Sequence, residues 1–449
     1  MVGATLTAGN DEPSGPRRLY LQAQGIIRCR GSLTRMAREP GDDVSYISLF
    51  RVPGFGRFAA TTLLGRMAQT MWVVAMVLFV LEKFHSPGLA GVVVFLGVFP
   101  ALLASPLAGA LLDRYGRVRF ITFDYFVAAT SLLLIVTLSV LHQLTLVTLL
   151  PLVTLGSVTG LLSAAGLRTM VPLLLPRHLW DRGNAADSVG YTAVTIAGPA
   201  IAGTLVGTLG AEVALMMTAF IFAAGGVVMI GMREPGAKAP SEATLLRDAV
   251  AAIGYVVHNV TLRGLALCLF VLNVGTGILI VALPVLILDH LHGSAAEVGA
   301  MWGLQGAGGV VSALLFGRIN SEGRERTVVA AVTVVAAAGT ALLLAATNLW
   351  IVYAASLILG LSMGPVDVAI FSLRQRATEV AWFGRAMAVS MSLNYSGNPI
   401  GSALTGPLLH FGLSFALLVS VLFTFAAAGV ALITIPRGSR PSVEVAAST

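Results

Sequence analysis

The chain reads as a succession of long apolar runs parted by short polar breaks. Twelve runs reach the roughly 20 residues that a bilayer core demands of a helix. They are 58–81, 88–112, 120–141, 144–167, 189–209 and 213–232 in the first half, then 264–288, 298–316, 327–346, 349–373, 386–409 and 413–435 in the second. Only His142 and Gln143 part the third run from the fourth. The pattern predicts an all-α integral membrane protein with twelve transmembrane helices. The widest internal gap, 233–263, sets six runs against six. It opens on the helix breakers Glu234-Pro235-Gly236-Ala237-Lys238-Ala239-Pro240. Ser241 can then cap a helix in which Leu245, Leu246, Ala249, Val250, Ile253, Val256 and Val257 recur at helical spacing. That pattern suits a helix lying on the membrane interface. The expected organisation is a largely disordered polar tail over 1–56, a six-helix bundle over 57–232, a linker over 233–263, a second bundle over 264–435 and a short tail over 436–449. The first tail has no apolar run long enough for a signal-peptide core.

Composition agrees and narrows the class. Hydrophobic residues make up 56% of the 449 positions and charged ones 11%, against about 25% charged in an ordinary soluble protein. A water-facing globule is excluded. The net charge of +7 would suggest nucleic acid in a soluble domain, but its placement points to the membrane. All but two of the 28 lysines and arginines fall in the tails and in alternate loops on one side. Lys83 lies on the other side and Arg66 lies within the first run. This asymmetry puts both termini in the cytoplasm. The expected location is a bacterial cytoplasmic membrane, with a multi-pass chain, no nucleic-acid partner and a monomeric state.

Several chemistries lack their residues. Cys29 and Cys268 supply neither a disulfide framework nor a metal site. His290 and His292 are two ligands in a short loop, too few for a metal. Neither lysine stands in a phosphate-binding Gly-Lys-Ser/Thr, and no H-E-x-x-H or G-x-S-x-G sequence occurs. The chain is therefore expected not to be an enzyme and to need no cofactor.

The halves echo each other. Gly156-x3-Gly160 has a counterpart in Gly360-x3-Gly364, and Arg168 and Arg374 follow these pairs. Gly198-Pro199 is matched by Asn398-Pro399. Between the second and third runs stands Gly109-Ala110-Leu111-Leu112-Asp113-Arg114-Tyr115-Gly116-Arg117. Gly109 permits close helix approach and Gly116 a tight turn. Asp113, Arg114 and Arg117 can form a charged latch across the half. A plain turn carrying positive-inside charge would use the same residues.

Here the sequence resembles the major facilitator superfamily, over roughly 57–435. The G-x3-D-R-x-G-R signature is similar to that family's cytoplasmic loop motif. The resemblance implies the major facilitator fold, and it implies that Gly109, Asp113, Arg114, Gly116 and Arg117 stabilise the outward-facing state. The loop after the eighth run, Gly317-Arg318-Ile319-Asn320, lacks the acid. Gly198-Pro199-Ala200-Ile201-Ala202-Gly203 resembles the core of the family's antiporter motif, with Ala202 and Val194 departing from it. Trp180-Asp181-Arg182-Gly183-Asn184-Ala185 and Phe383-Gly384-Arg385-Ala386 look like the bacterial drug-efflux branch with twelve spans. Where many relatives carry an acid in the first span, this chain has Gln69-Thr70.

Ionisable groups within spans are costly and mark function. Arg66 lies about 12 Å in from Phe58 along its helix. It could bind an acidic cargo group, pair with a carboxylate or snorkel to the interface. Asp367 lies about 9 Å in from Leu373. The resemblance places its span at the central cavity, which makes it the leading proton-carrying or cation-binding candidate; the alternative is a buried pair with Arg374 or Arg66. Asp124 is expected to partner Arg114 or Arg117 in the latch. Asp187 is expected to cap the fifth span, and Asp289 to sit at the outer interface. Asn273, Gln305, Asn394 and Tyr395 could contact cargo or bond between helices. The functional expectation is secondary active export of a small amphipathic organic compound (a drug, natural product or siderophore-like molecule) by proton antiport with alternating access. The alternatives are a metabolite importer or facilitator, and a transporter-like membrane sensor or scaffold.

Overall fold

Proline and glycine set where helices can begin and turn. Pro87 opens a helix, where its missing N–H costs nothing. Gly116 turns the chain at φ +94°, a backbone geometry that a side chain would strain. The computed structural model describes residues 46–233, 245–316, 323–379 and 382–436, without the side chains of 104–115 and a few others. The tail before Tyr46, the breaker stretch with Ser241, the loop 317–320 and the chain after Pro436 lie outside the described residues.

Fifteen α-helices occur among the described residues. In the first half they are α1 (Tyr46–Arg51), α2 (Phe55–Phe84), α3 (Pro87–Tyr115), α4 (Arg117–Val140), α5 (Leu146–Leu174), α6 (Trp180–Leu209) and α7 (Ala211–Met229). Then follow α8 (Leu245–His258), α9 (Val260–Val285), α10 (Ala295–Phe316), α11 (Glu325–Leu342), α12 (Leu349–Arg376), α13 (Phe383–Tyr395), α14 (Gly397–His410) and α15 (Leu413–Thr434). Among the described residues nine helices are long and apolar enough to cross a membrane. In α3 and α5 the described apolar stretches are Pro87–Leu103 and Leu146–Gly160. The eleventh run, expected as one span, is instead two helices in series. Pro399 cannot donate to the carbonyl of Tyr395, four residues back, and α13 ends at that residue. Caps fix other starts: the Asn259 side chain accepts from the N–H of Thr261 and of Leu262, both at 3.1 Å.

α2 packs on α6 and α7, and α4 on α5 and α7, while α3 lies against α5. In the second half α9 packs on α14 and α15, α10 on α12, and α11 on α12 and α15. The most extensive contacts between these sets are α6 with α10 and α3 with α14; α3 also touches α8 and α9. The named contacts of both pairs sit near the same end of the helices. This end holds the turns at Gly210 and Gly412 and, among the described residues, one basic side chain beyond histidine, Lys83; it is the arginine-poor end. The opposite, arginine-rich end holds Arg57, Arg117, Arg263 and Arg376.

The core follows the same division. One cluster runs through both halves, from Met71, Phe79 and Val93 to Ile278, Leu283, Val298 and Leu417. Towards the arginine-rich end it gives way to separate clusters. One gathers Phe58, Ile121, Tyr125, Met170 and Met229. Another gathers Leu265, Val329, Ile370, Leu373 and Ile435.

Candidate functional site

Glycines decide where helices from the two halves can touch. A methyl group on Gly203 of α6 would lie 2.4 Å from Gly299 Cα of α10, and one on Gly207 would lie 3.0 Å from the nitrogen of Ala296. Across the other pair, a methyl on Gly91 of α3 would lie 2.0 Å from the carbonyl oxygen of Ser402, and one on Gly406 would lie 2.4 Å from Gly88 Cα. Backbones this close exclude any side chain, which is how small residues bring membrane helices together. Gly198 serves within the first half: a methyl there would meet Thr70 Oγ1 of α2 at 2.0 Å. Pro199 stands inside the unbroken α6.

Past these contacts the helices carry polar groups. α2 and α6 run alongside one another, with Leu63 against Gly190 and Thr70 against Gly198. That register sets Arg66 level with about residue 193. Its side chain runs back toward the arginine-rich end and grips Asp187 with two hydrogen bonds, Nη1 to Oδ1 at 2.9 Å and Nη2 to Oδ2 at 3.0 Å. The guanidinium also lies 5.3 Å from the centroid of the Tyr191 ring. Of the readings open for Arg66, the pair with a carboxylate is the one present. Asp187 is not a cap: α6 begins at Trp180, two turns earlier. The apolar run showed only the lipid-compatible part of the helix and hid its polar first turns. Gln69 is exposed on α2.

On α12, Asp367 is exposed and makes no ion pair or hydrogen bond among the described residues. Arg66 is held elsewhere, and Arg374 is 1% exposed. Gln305 of α10 faces the same helix; its Nε2 is 4.0 Å from Met363 Sδ, and its Oε1 has no hydrogen-bond partner among the described residues. Asn273 of α9 donates to the Asn394 side chain and, at 3.3 Å, to the Asn394 carbonyl. Thr276 donates to Asn398 Oδ1 at 2.9 Å. These bonds bridge α9 to both sides of the α13–α14 break. Tyr395, also at the break, is exposed. Thr276 escaped the sequence reading, and Asn398 entered it only beside Pro399 in the repeat, because a lone hydroxyl or amide in an apolar run gives no sign of the helix it will face.

Asp124 of α4 is 1% exposed, and its Oδ1 lies 4.0 Å from where a methyl on Gly160 of α5 would stand. That oxygen has no hydrogen-bond partner among the described residues. Of the latch residues, Gly116 forms the turn and Arg117 opens α4. Nothing beyond the helical backbone is described for Gly109, Asp113 and Arg114.

Three comparisons bear on this arrangement. The family model described as Major Facilitator Superfamily matches twice, over residues 58–271 and 265–448. The MFS-type transporter y4rN of Sinorhizobium fredii is 36% identical over 401 residues, covering 89% of this chain and 98% of that protein. The multidrug efflux pump Tap of Mycolicibacterium fortuitum is 27% identical over 378 residues, covering 81% and 91%. Among solved structures, a mutant of the nucleoside transporter NupG superposes with a TM-score of 0.71 at 12% identity, covering 85% of this chain and 99% of that one. That last likeness concerns the fold alone.

Proposed function

The chain belongs to the Major Facilitator Superfamily, and on that premise we propose that it exports a small amphipathic organic compound in exchange for protons. It is a multi-pass membrane protein of a transporter family. In the proposed working form, twelve spans make two six-helix bundles, 57–232 and 264–435, joined by the linker 233–263. Both termini face the cytoplasm of a bacterial cell, as the arginine placement favours. The two halves rock about a midplane cavity.

The observation that carries this reading is the single core at the arginine-poor end beside several separate cores at the other. With the arginines inside, that arrangement corresponds to a cavity closed outward and opening inward. Asp367, exposed on α12 and without an ion pair among the described residues, supplies the carboxylate that a proton and a cationic cargo group would contest. The Gly109–Arg117 latch would hold the opposite state. Similarity to a protein named as a multidrug efflux pump supports export.

The test is counterflow in proteoliposomes. A pH gradient, acid on the face opposite the arginine-rich end, should drive a fluorescent lipophilic cation the other way. Asp367→Asn should abolish that exchange while leaving the melting temperature unchanged. Exchange that persists in the variant would remove Asp367 from the proton path.

A further inference from the structure

Arg66 and Gln69 stand three residues apart within α2 and so share a face. Gln69 is exposed and Arg66 partly so. Polar groups within a span face the bundle interior or a water-filled cavity, because lipid offers them no partner. Helix α6 fixes the level of that space. It stays against α10 as far as Ile196 and Gly306, where a methyl on the glycine would lie 3.3 Å from Ile196 Cγ1. Further toward the arginine-rich end, the register of that contact sets Tyr191 level with Val311, and they are 54% and 50% exposed. The halves have parted there, and Arg66 reaches this level.

The guanidinium is only partly used. Of its five N–H groups, two on Nη1 go to Asp187, one to Oδ1 and one to the backbone carbonyl at 3.3 Å, and one on Nη2 goes to Oδ2. The Nε–H and the other Nη2–H form a second edge, which has no partner among the described residues. Such an edge matches a planar carboxylate, which it can hold by two parallel bonds. The exposed Tyr191 ring, its centroid 5.3 Å from the guanidinium carbon, adds an aromatic surface beside that edge. Asp187 aligns the fork and offsets its charge.

We infer that Arg66 and Tyr191 form a subsite for the carboxylate of an aromatic cargo, with Asp187 as the built-in counter-ion that weakens its hold. This rests on the export reading above, in which Asp367 takes a cationic group. Together the two positions select a zwitterionic amphipathic compound. The sign of the Asp187 effect follows from Coulomb's law: its carboxylate repels the incoming one and cancels the charge that attracts it.

The experiment is a fluorescence titration of the whole chain in lipid with dansylglycine, an aromatic carboxylate, and with its neutral amide as control. Asp187→Asn should tighten dansylglycine about tenfold and leave the amide unchanged. Arg66→Gln together with Asp187→Asn removes both charges, leaves neither unpaired, and should abolish that gain. Tyr191→Ala should weaken dansylglycine about threefold. A merely structural ion pair would lower the melting temperature in Asp187→Asn without tightening dansylglycine, and that result would overturn the inference. An amide that gains as much as the acid would overturn it too, as would an absence of dansylglycine binding in every chain. Tightening in Asp187→Asn beside a failure of pH-driven counterflow would sink the export reading and leave the subsite standing.

Discussion

The two ends of this bundle solve opposite problems. At the arginine-poor end the halves meet through backbone, with Gly203 on Gly299 and Gly91 on Ser402, and one hydrophobic core runs through both. At the arginine-rich end each half keeps its own core, and close glycine contacts such as Gly264 with Thr434 and Gly190 with Leu63 stay within a half. Close backbone contact is dry, non-directional and all-or-none: the surfaces either nest or separate. Charged and hydrogen-bonded groups such as Arg66, Asp187 and Asp367 tolerate water and can change partners. The difference teaches that a seal and a binding surface call for different residue types, even within one pair of helices. α6 carries both, with Gly203 near one end and Asp187 near the other.

The contrast can be broken most severely at the seal. Gly203→Leu places a branched side chain where even a methyl would meet backbone. Overpacking of this kind costs about 1–3 kcal/mol. The expected result is a tenfold or greater loss of transport and a shift toward the state open at the arginine-poor end, read by cysteine accessibility. Next in size is the polar end. Asp187→Asn leaves Arg66 without its charged partner. The two side chains are 21% and 32% exposed, so the loss should be about 1–2 kcal/mol, between surface and buried pairs, and visible as a lower melting temperature. An unchanged melting temperature would show that the pair adds nothing to stability. The exchange Arg66→Asp with Asp187→Arg should recover part of the loss. Smaller again is Asn273→Ala, which removes the amide bridging α9 to α13; about 0.6 kcal/mol is typical of such membrane bonds. The smallest effect is expected at Gly429 of α15, where a methyl would meet nothing within 4 Å. Gly429→Leu should leave both transport and melting unchanged, which ties the Gly203 effect to its contact and not to glycine itself.

Much of this fold was legible in the chain, for a physical reason. Apolar run length reports the hydrocarbon thickness directly, so 58–81 anticipated Phe55–Phe84 and 413–435 anticipated Leu413–Thr434. What run length cannot show is helix that continues past the apolar zone. Trp180 to Ser188 is polar yet helical, which is why Asp187 passed for a cap. Nor does it show a break inside an apolar run: 386–409 hid the division at Ser396. Pro399 gave a sign of it, but the equivalent Pro199 sits in an unbroken helix, so the proline alone was not decisive. The candidate site was legible as a set of residue types. Arg66, Asp367, Asn273 and Asn394 stood out because polar groups are rare in such runs. Their pairings were not legible, since spacing along one helix carries no information about which helix it will face. Arg66 found its carboxylate 121 residues away.

The central claim is that the arginine-rich end opens and closes while the arginine-poor end does the reverse. Val189 of α6 and Leu314 of α10 are 70% and 67% exposed and lie toward the arginine-rich end of the two helices that meet at Gly203 and Gly299. Spin labels at these two positions, in a chain carrying Cys29→Ser and Cys268→Ala, would report the separation by pulsed electron resonance in lipid. The account predicts two distances, with the longer one matching this structure and the shorter one gaining population in Gly203→Leu. A single distance, the same in both chains, would contradict it.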